Sequence, residues 1–242
     1  MSMADPLPIA EFEQQLRGLV DQLFAANLHF KIGSGLRKSW REYYEELVQA
    51  HVFWQYTIHA HDTMAVLGLC RVYDNTRATD QRCLTLRRII ATVEANPRVF
   101  EQAEFRKRLE QNPHVDYLSQ RLPRLERNQV EADIEFCDKD ESVKALVVLR
   151  NKLIAHADYK YSIGKEKDYS KSHPLPYEDI QRLIDRGFEI VNRYSGIYIA
   201  KTHSDRLASQ QDQDYLEVLR ALRKAALNCE KPGGDVAALA SR

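Results

Sequence analysis

Apolar residues recur every three to four positions along most of the chain, and nowhere do they alternate as a half-buried strand requires. Ile9, Phe12, Leu16, Leu19, Val20, Leu23 and Phe24 trace one helical stripe. Tyr43, Leu47, Ala50, Trp54, Ile58, Ala65, Leu69 and Val72 trace a second, and Ile180, Leu183, Ile184, Phe188, Val191 and Tyr194 a third. Turn formers are scarce. Nine glycines and eight prolines in 242 residues fall well short of the roughly 12% that average usage supplies. A sandwich or barrel of many short strands needs more. These features predict an all-α chain: a helical bundle with long antiparallel helices and additional short ones.

The breaks follow from the same pattern. The first helix, opening after Asp5-Pro6 and Pro8, is expected to fade at Gly33-Ser34-Gly35. A second, long helix is expected from about Ser39 to Asp74, followed by a polar loop over Asn75–Gln81. Leu84–Glu94 should stop at Asn96-Pro97, and Val99–Gln111 at Asn112-Pro113. Val115–Cys137 contains Pro123, whose missing N–H and ring clash predict a kink or break. Helices over Ser142–Ala157, Glu178–Thr202 and Tyr215–Asn228, with an exposed loop over Tyr159–Tyr177, complete the expectation. Residues 1–230 are expected to form a single domain and 231–242 a disordered tail that opens with Pro-Gly-Gly.

Charge and cysteine usage narrow the class. A content of 44% hydrophobic and 29% charged residues rules out a disordered body. Thirty-five basic residues balance thirty-five acidic ones, which counts against a protein that coats nucleic acid by bulk charge. Local basic segments remain. Arg82–Arg108, which includes Arg87 and Arg88, holds seven basic and three acidic residues, and Arg150–Lys171 holds six and three. Such segments either contact phosphate or form ordinary solvated helix faces. Cys70, Cys83, Cys137 and Cys229 include no C-x-x-C pair, so reduced thiols in a cytoplasmic protein are expected. The N-terminus carries no basic-then-apolar leader, and the longest apolar run, Met64–Cys70, is far short of the ~20 residues a membrane span needs. No membrane partner is expected.

Several chemistries lack their motifs. There is no Gly-rich phosphate loop, no G-x-S-x-G and no H-E-x-x-H. His59-Ala60-His61-Asp62, with His51 upstream, superficially suggests a metal phosphohydrolase. On a helix His59 and His61 stand about 200° apart, and His51 and His59 about 12 Å apart along the axis. No metal or other cofactor is expected.

One segment carries more information. On a helix over 142–158, Val143, Leu146, Val147, Leu153, Ile154 and Ala157 form an apolar arc, with Arg150 in its middle. A guanidinium stays charged and is costly to bury alone, so Arg150 should meet a carboxylate or a phosphate. Asn151, His156 and Asp158 follow. His156 lies about 120° from Arg150 around an ideal helix, so the two converge where the helix ends or distorts, or across a two-fold axis. An imidazole that exchanges protons and a guanidinium that stabilises phosphate charge form a minimal set for RNA cleavage. The structural alternative pairs Arg150 with a core carboxylate such as Asp74 and leaves His156 capping a helix end.

Arg150-Asn151-Lys152-Leu153-Ile154-Ala155-His156 resembles the R-x(4–6)-H signature of HEPN domains. Leu69-Cys70-Arg71-Val72-Tyr73-Asp74, a polar loop, then Leu84-Thr85-Leu86-Arg87-Arg88-Ile89-Ile90 resembles the abortive-infection U-type branch of that superfamily. The resemblance covers roughly 12–201. It implies a HEPN-like helical bundle, homodimerisation through the motif helix, and a metal-independent endoribonuclease of a toxin–antitoxin or anti-phage system. Arg150, Asn151 and His156 match the catalytic motif. RNA is the implied substrate and an antitoxin protein an implied partner. Arg87, Arg88, Lys152, Asp158 and Tyr159 are candidates for substrate contact. Some relatives carry a tyrosine two residues after the histidine that is modified with AMP. Asp158 stands there in this chain and Tyr159 one later, with Tyr161 beyond. The alternative is a non-catalytic HEPN bundle that binds RNA, a nucleotide or a protein.

Overall fold

The computed structural model describes residues 8–74, 83–150, 175–204 and 213–229. Among these residues every regular element is helical. After a short turn of helix at Ile9–Glu11 come α1 (Phe12–Ser39), α2 (Tyr44–Val48), α3 (His51–Val72) and α4 (Leu86–Ala95). A second short turn at Pro97–Phe100 leads to α5 (Gln102–Arg108), α6 (Val115–Gln120), α7 (Arg127–Lys139) and α8 (Glu141–Leu149). The last two helices are α9 (Tyr177–Ile199) and α10 (Asp214–Cys229). No helix of the described residues is long and apolar enough to cross a membrane. The expected loops at 75–81 and 159–174, and the expected tail at 231–242, lie outside the described residues.

The chain divides into two compact units. The first comprises Met1–Asn27 and Thr63–Arg206, the second Leu28–Asp62 and Leu207–Arg242. In the first, Phe12, Leu16, Leu19 and Leu23 of α1 are buried with Leu69 and Val72 of α3 and with the inner stripe of α9, from Ile180 through Tyr194 to Ile197. Phe12 meets Phe100 and Tyr198 edge-on, with ring centroids 5.4 and 4.9 Å away. Helix α4 lies deepest, with every residue from Leu86 to Val93 buried. Thr85 starts it by accepting a hydrogen bond from the Arg88 N–H. The second unit closes around Leu36, Tyr43, Leu47, Trp54 and Leu219.

Several expected breaks fall elsewhere. Helix α1 runs straight through Gly33-Ser34-Gly35 to Ser39. The two glycines serve close packing there. A Cβ on Gly33 would stand 3.0 Å from Asp62 Oδ1, and one on Gly35 2.4 Å from the Tyr215 hydroxyl oxygen. The expected long helix over 39–74 is instead interrupted. The chain turns after Ser39 without glycine or proline, forms α2, and restarts at His51. Burial of Tyr43 and Leu47 in the second unit's core makes this turn, a signal that turn-residue chemistry does not carry. Val99–Gln111 shortens to α5. Pro123 does separate two helices, α6 and α7, as its chemistry requires.

Candidate functional site

Helix α8 carries the motif arginine and is fixed at both ends. At its start, Asp140 Oδ1 accepts hydrogen bonds from the Ser142 N–H at 2.9 Å and the Val143 N–H at 3.3 Å, an N-cap. The same carboxylate receives Arg182 of α9 on both oxygens, at 2.9 and 3.1 Å. Burial pushes the Asp140 carboxyl up, but Arg182 and the two backbone donors outweigh it and hold the group below its ordinary value. At its end, Arg150 Nη1 donates to the carboxylate of Asp74, two residues past the end of α3. Arg150 is 16% exposed along its side chain and Asp74 10%. The anion expected for Arg150 is therefore this carboxylate.

Beside the pair, the Cys70 thiol donates to the Leu146 carbonyl at 3.4 Å. Burial, opposed by Arg150 and reinforced by Asp74, pushes it up to about 12. A thiol held protonated in this way is no nucleophile. Tyr73, next to Asp74, is fully buried and donates to the Leu183 carbonyl of α9 at 2.6 Å. Asp74 is thus bonded to the end of α8 while its neighbour Tyr73 is tied to α9.

Of the expected site residues, Arg150 lies at the end of α8. Asn151, Lys152, His156, Asp158 and Tyr159 lie outside the described residues, as does Tyr161. Arg87 and Arg88 require a correction. Both are buried, at 8% and 2% exposure, and form neither a phosphate-contacting patch nor a solvated face. Arg87 Nε reaches Asp138 at 3.4 Å, and Arg88 Nη1 donates to the Cys83 carbonyl at 2.8 Å. These two positive charges face the interior of unit one because α4 is enclosed from Leu86 to Val93, whereas Arg98, Arg106 and Lys107 of the same basic stretch are exposed.

A polar centre that the sequence reading missed lies on α7. Asp133 is completely buried. It accepts from Arg186 at 2.8 Å, Arg193 at 2.5 Å and the Tyr194 hydroxyl at 2.7 Å, all on α9. Gln129 adds a bond at 3.3 Å. The signal was available: Val130, Asp133 and Cys137 share the inward face of α7, so a carboxylate stands in an apolar stripe as Arg150 does in its own.

The histidine segment also resolves. His59 and His51 are exposed, whereas His61 pairs with His29 of α1, Nδ1 to Nδ1 at 2.9 Å. Asp62 is bound by Arg37. Among the described residues no group of three or more histidine, cysteine or acidic side chains is placed to hold a metal ion. Burial lowers the pKa of both paired histidines. The charge of His29 adds to this at His61, and Asp62 opposes it. For a base, a lowered folded pKa means the unfolded chain binds more protons just below its own value near 6.5. Stability from this pair is therefore complete above pH 7 and falls on acidification through 6.5. Melting temperature should drop between pH 7.5 and pH 5, and His61→Asn should flatten that drop.

Comparison with known proteins adds one finding. A family model described as AbiU2, of the HEPN type, matches residues 9–219. No curated protein and no solved structure matches the chain.

Proposed function

The chain belongs to the HEPN family AbiU2, and from that premise we propose that it is a metal-independent endoribonuclease of a toxin–antitoxin or anti-phage abortive-infection system. The observation that carries this reading is the placement of Arg150. It ends a helix capped at its start by Asp140, and it directly precedes the rest of the family motif. A positioned cation of this kind stabilises the charge that develops on a phosphate in the transition state. His156 is the proton-transfer group. The RNA 2′-hydroxyl attacks phosphorus as its proton leaves to a base, the P–O5′ bond breaks, and a proton goes to the departing 5′-oxygen. The product ends in a 2′,3′-cyclic phosphate. Asn151 orients substrate, and Lys152, Asp158 and Tyr159 contact the RNA near the cut. The site is composite: two copies meet through the motif helix. An antitoxin protein holds the activity in check.

The test is direct. Purified protein with single-stranded RNA in EDTA should yield cyclic-phosphate ends, and His156→Ala should slow cutting about 10²–10⁴-fold. Intact RNA with the wild type, or equal rates for His156→Ala, would end this reading.

The ion pair of Arg150 with Asp74 favours a second reading, a non-catalytic module that binds RNA, a nucleotide or a protein partner. That reading expects RNA binding to survive His156→Ala and to weaken with Arg150→Ala.

A further inference from the structure

Inside unit two, α1 brings His29 against His61 of α3, Nδ1 to Nδ1 at 2.9 Å. The ring centroids are 5.0 Å apart and the planes are tilted by 46°, so the rings meet at their nitrogens and not face to face. One N–H closes the contact, and neither ring makes another hydrogen bond among the described residues. A histidine inside a fold is ordinarily oriented by a carbonyl or a carboxylate. Here two nitrogen bases face each other instead, and they repel once both are protonated. Gly33 stands one turn after His29 on the same face of α1. A Cβ there would lie 3.3 Å from the His61 Cβ and 3.0 Å from Asp62 Oδ1, so the glycine lets α3 come close enough for the imidazoles to meet. Asp62 is held by Arg37, one turn beyond Gly33. Both rings are half-buried, which leaves the pair within reach of solvent.

We propose that His29 and His61 form a two-imidazole site for one divalent transition-metal ion, Cu(II) or Ni(II), which ties α1 to α3 within unit two. The spacing of the nitrogens selects the ion. Two nitrogens 2.9 Å apart, each roughly 2.0–2.1 Å from a metal, stand about 90° apart as seen from it. That is the angle between neighbouring ligands of a tetragonal or octahedral ion. A tetrahedral zinc ion would spread the two nitrogens to about 3.3 Å. Imidazole suits copper and nickel, and Cu(II) heads the affinity order for such ligands. Magnesium and calcium take oxygen ligands instead. Water fills the remaining positions, in keeping with the absence of a third histidine, cysteine or acidic ligand among the described residues. On binding, the shared Nδ1 proton moves through solvent to Nε2 of its own ring. Both Nδ1 lone pairs then face the ion, and the neutral pair releases no net proton. Arg150 and Asp74 belong to unit one and share no residue with this site, so the inference stands or falls independently of the RNase reading.

The experiment uses the full chain, stripped with EDTA and dialysed at about pH 7.5, above the ordinary imidazole value. Cu(II) added below one equivalent should give a tetragonal electron paramagnetic resonance spectrum split by two imidazole nitrogens. Labelling the protein with 15N-histidine, which disturbs no packing, should change that splitting to the 15N pattern. Cu(II) or Ni(II) at about a hundredfold excess over its Kd should raise the melting temperature by about 5–10 °C. His29→Asn and His61→Asn should each remove the two-nitrogen signal and weaken binding about a hundredfold, with the helical circular dichroism unchanged. His51→Asn with His59→Asn, at exposed positions of α3, should leave signal and affinity intact. A two-nitrogen signal that survives His29→Asn or His61→Asn, or that disappears with His51 and His59, would overturn the proposal. So would a wild-type spectrum without two histidine nitrogens, or a melting temperature that neither ion moves.

Discussion

Asp133→Ala is expected to cost unit one about 3–5 kcal/mol, the usual penalty for removing one partner from a buried ionic group. The carboxylate is fully buried and collects Arg186 and, two turns later on α9, Arg193 and the Tyr194 hydroxyl. Alanine leaves the Tyr194 hydroxyl and two guanidinium groups, themselves about one-fifth exposed, without their shared buried acceptor. Part of the charge has another outlet, because Glu189 accepts from both arginines at its more exposed position. That places the loss toward the lower end of the range. Urea unfolding should show a lower midpoint, and the melting temperature should fall by roughly 10 °C. Asp133→Asn, which keeps an acceptor for Tyr194 while losing the charge, should fall between alanine and wild type. A loss below about 1 kcal/mol for alanine would mean that α7 and α9 are held together by their apolar contacts alone.

Arg150→Ala should lower RNA cleavage about 10²–10³-fold, the usual effect of deleting one positioned stabiliser of transition-state charge. It should also weaken the fold, because Arg150 is the partner of a carboxylate that is nine-tenths buried. The two effects separate in measurement. Unfolding midpoints report the ion pair, and cleavage rates corrected for the folded fraction report the chemistry. Arg150→Lys keeps the charge but loses the planar fork that Asp74 orients, so it should restore much of the stability and little of the rate. Asp74→Asn should reduce cleavage less than Arg150→Ala does, because it disturbs the orientation of the guanidinium without removing it. If Arg150 serves only as a counter-ion for Asp74, all three variants will change the midpoint and none the corrected rate.

Parts of this arrangement were legible in the sequence and parts were not, for identifiable reasons. The need of Arg150 for an anion followed from one residue, because a guanidinium on an apolar arc cannot shed its charge. The separation of α6 from α7 followed from Pro123, because a missing N–H acts locally. Gly33 and Gly35 misled because a glycine that ends a helix and a glycine that admits a neighbouring side chain look the same in one dimension. Only the positions of Asp62 and Tyr215 tell them apart. Arg87-Arg88 misled for a related reason. A run of positive charge does not reveal that its helix is enclosed, and burial of the eight residues from Leu86 to Val93 is a property of the packed unit. Asp133 was within reach of the argument already applied to Arg150, and the stripe from Val130 to Cys137 shows that it needed only to be applied to acids as well as bases.

Helix α8 is clasped by Arg182 at its first turn and by Asp74 just past its last residue. Ten residue steps at 1.5 Å each separate the clasped residues, Asp140 and Arg150, by about 15 Å, so the helix is tied at both ends rather than at one. The chain that follows Arg150 departs from a surveyed point. Six peptide units reach at most about 20 Å even when fully drawn out. The Cα of His156 lies inside that radius of the Arg150 Cα, and an atom that His156 can protonate lies no farther than that radius plus the length of an imidazole side chain and one hydrogen bond.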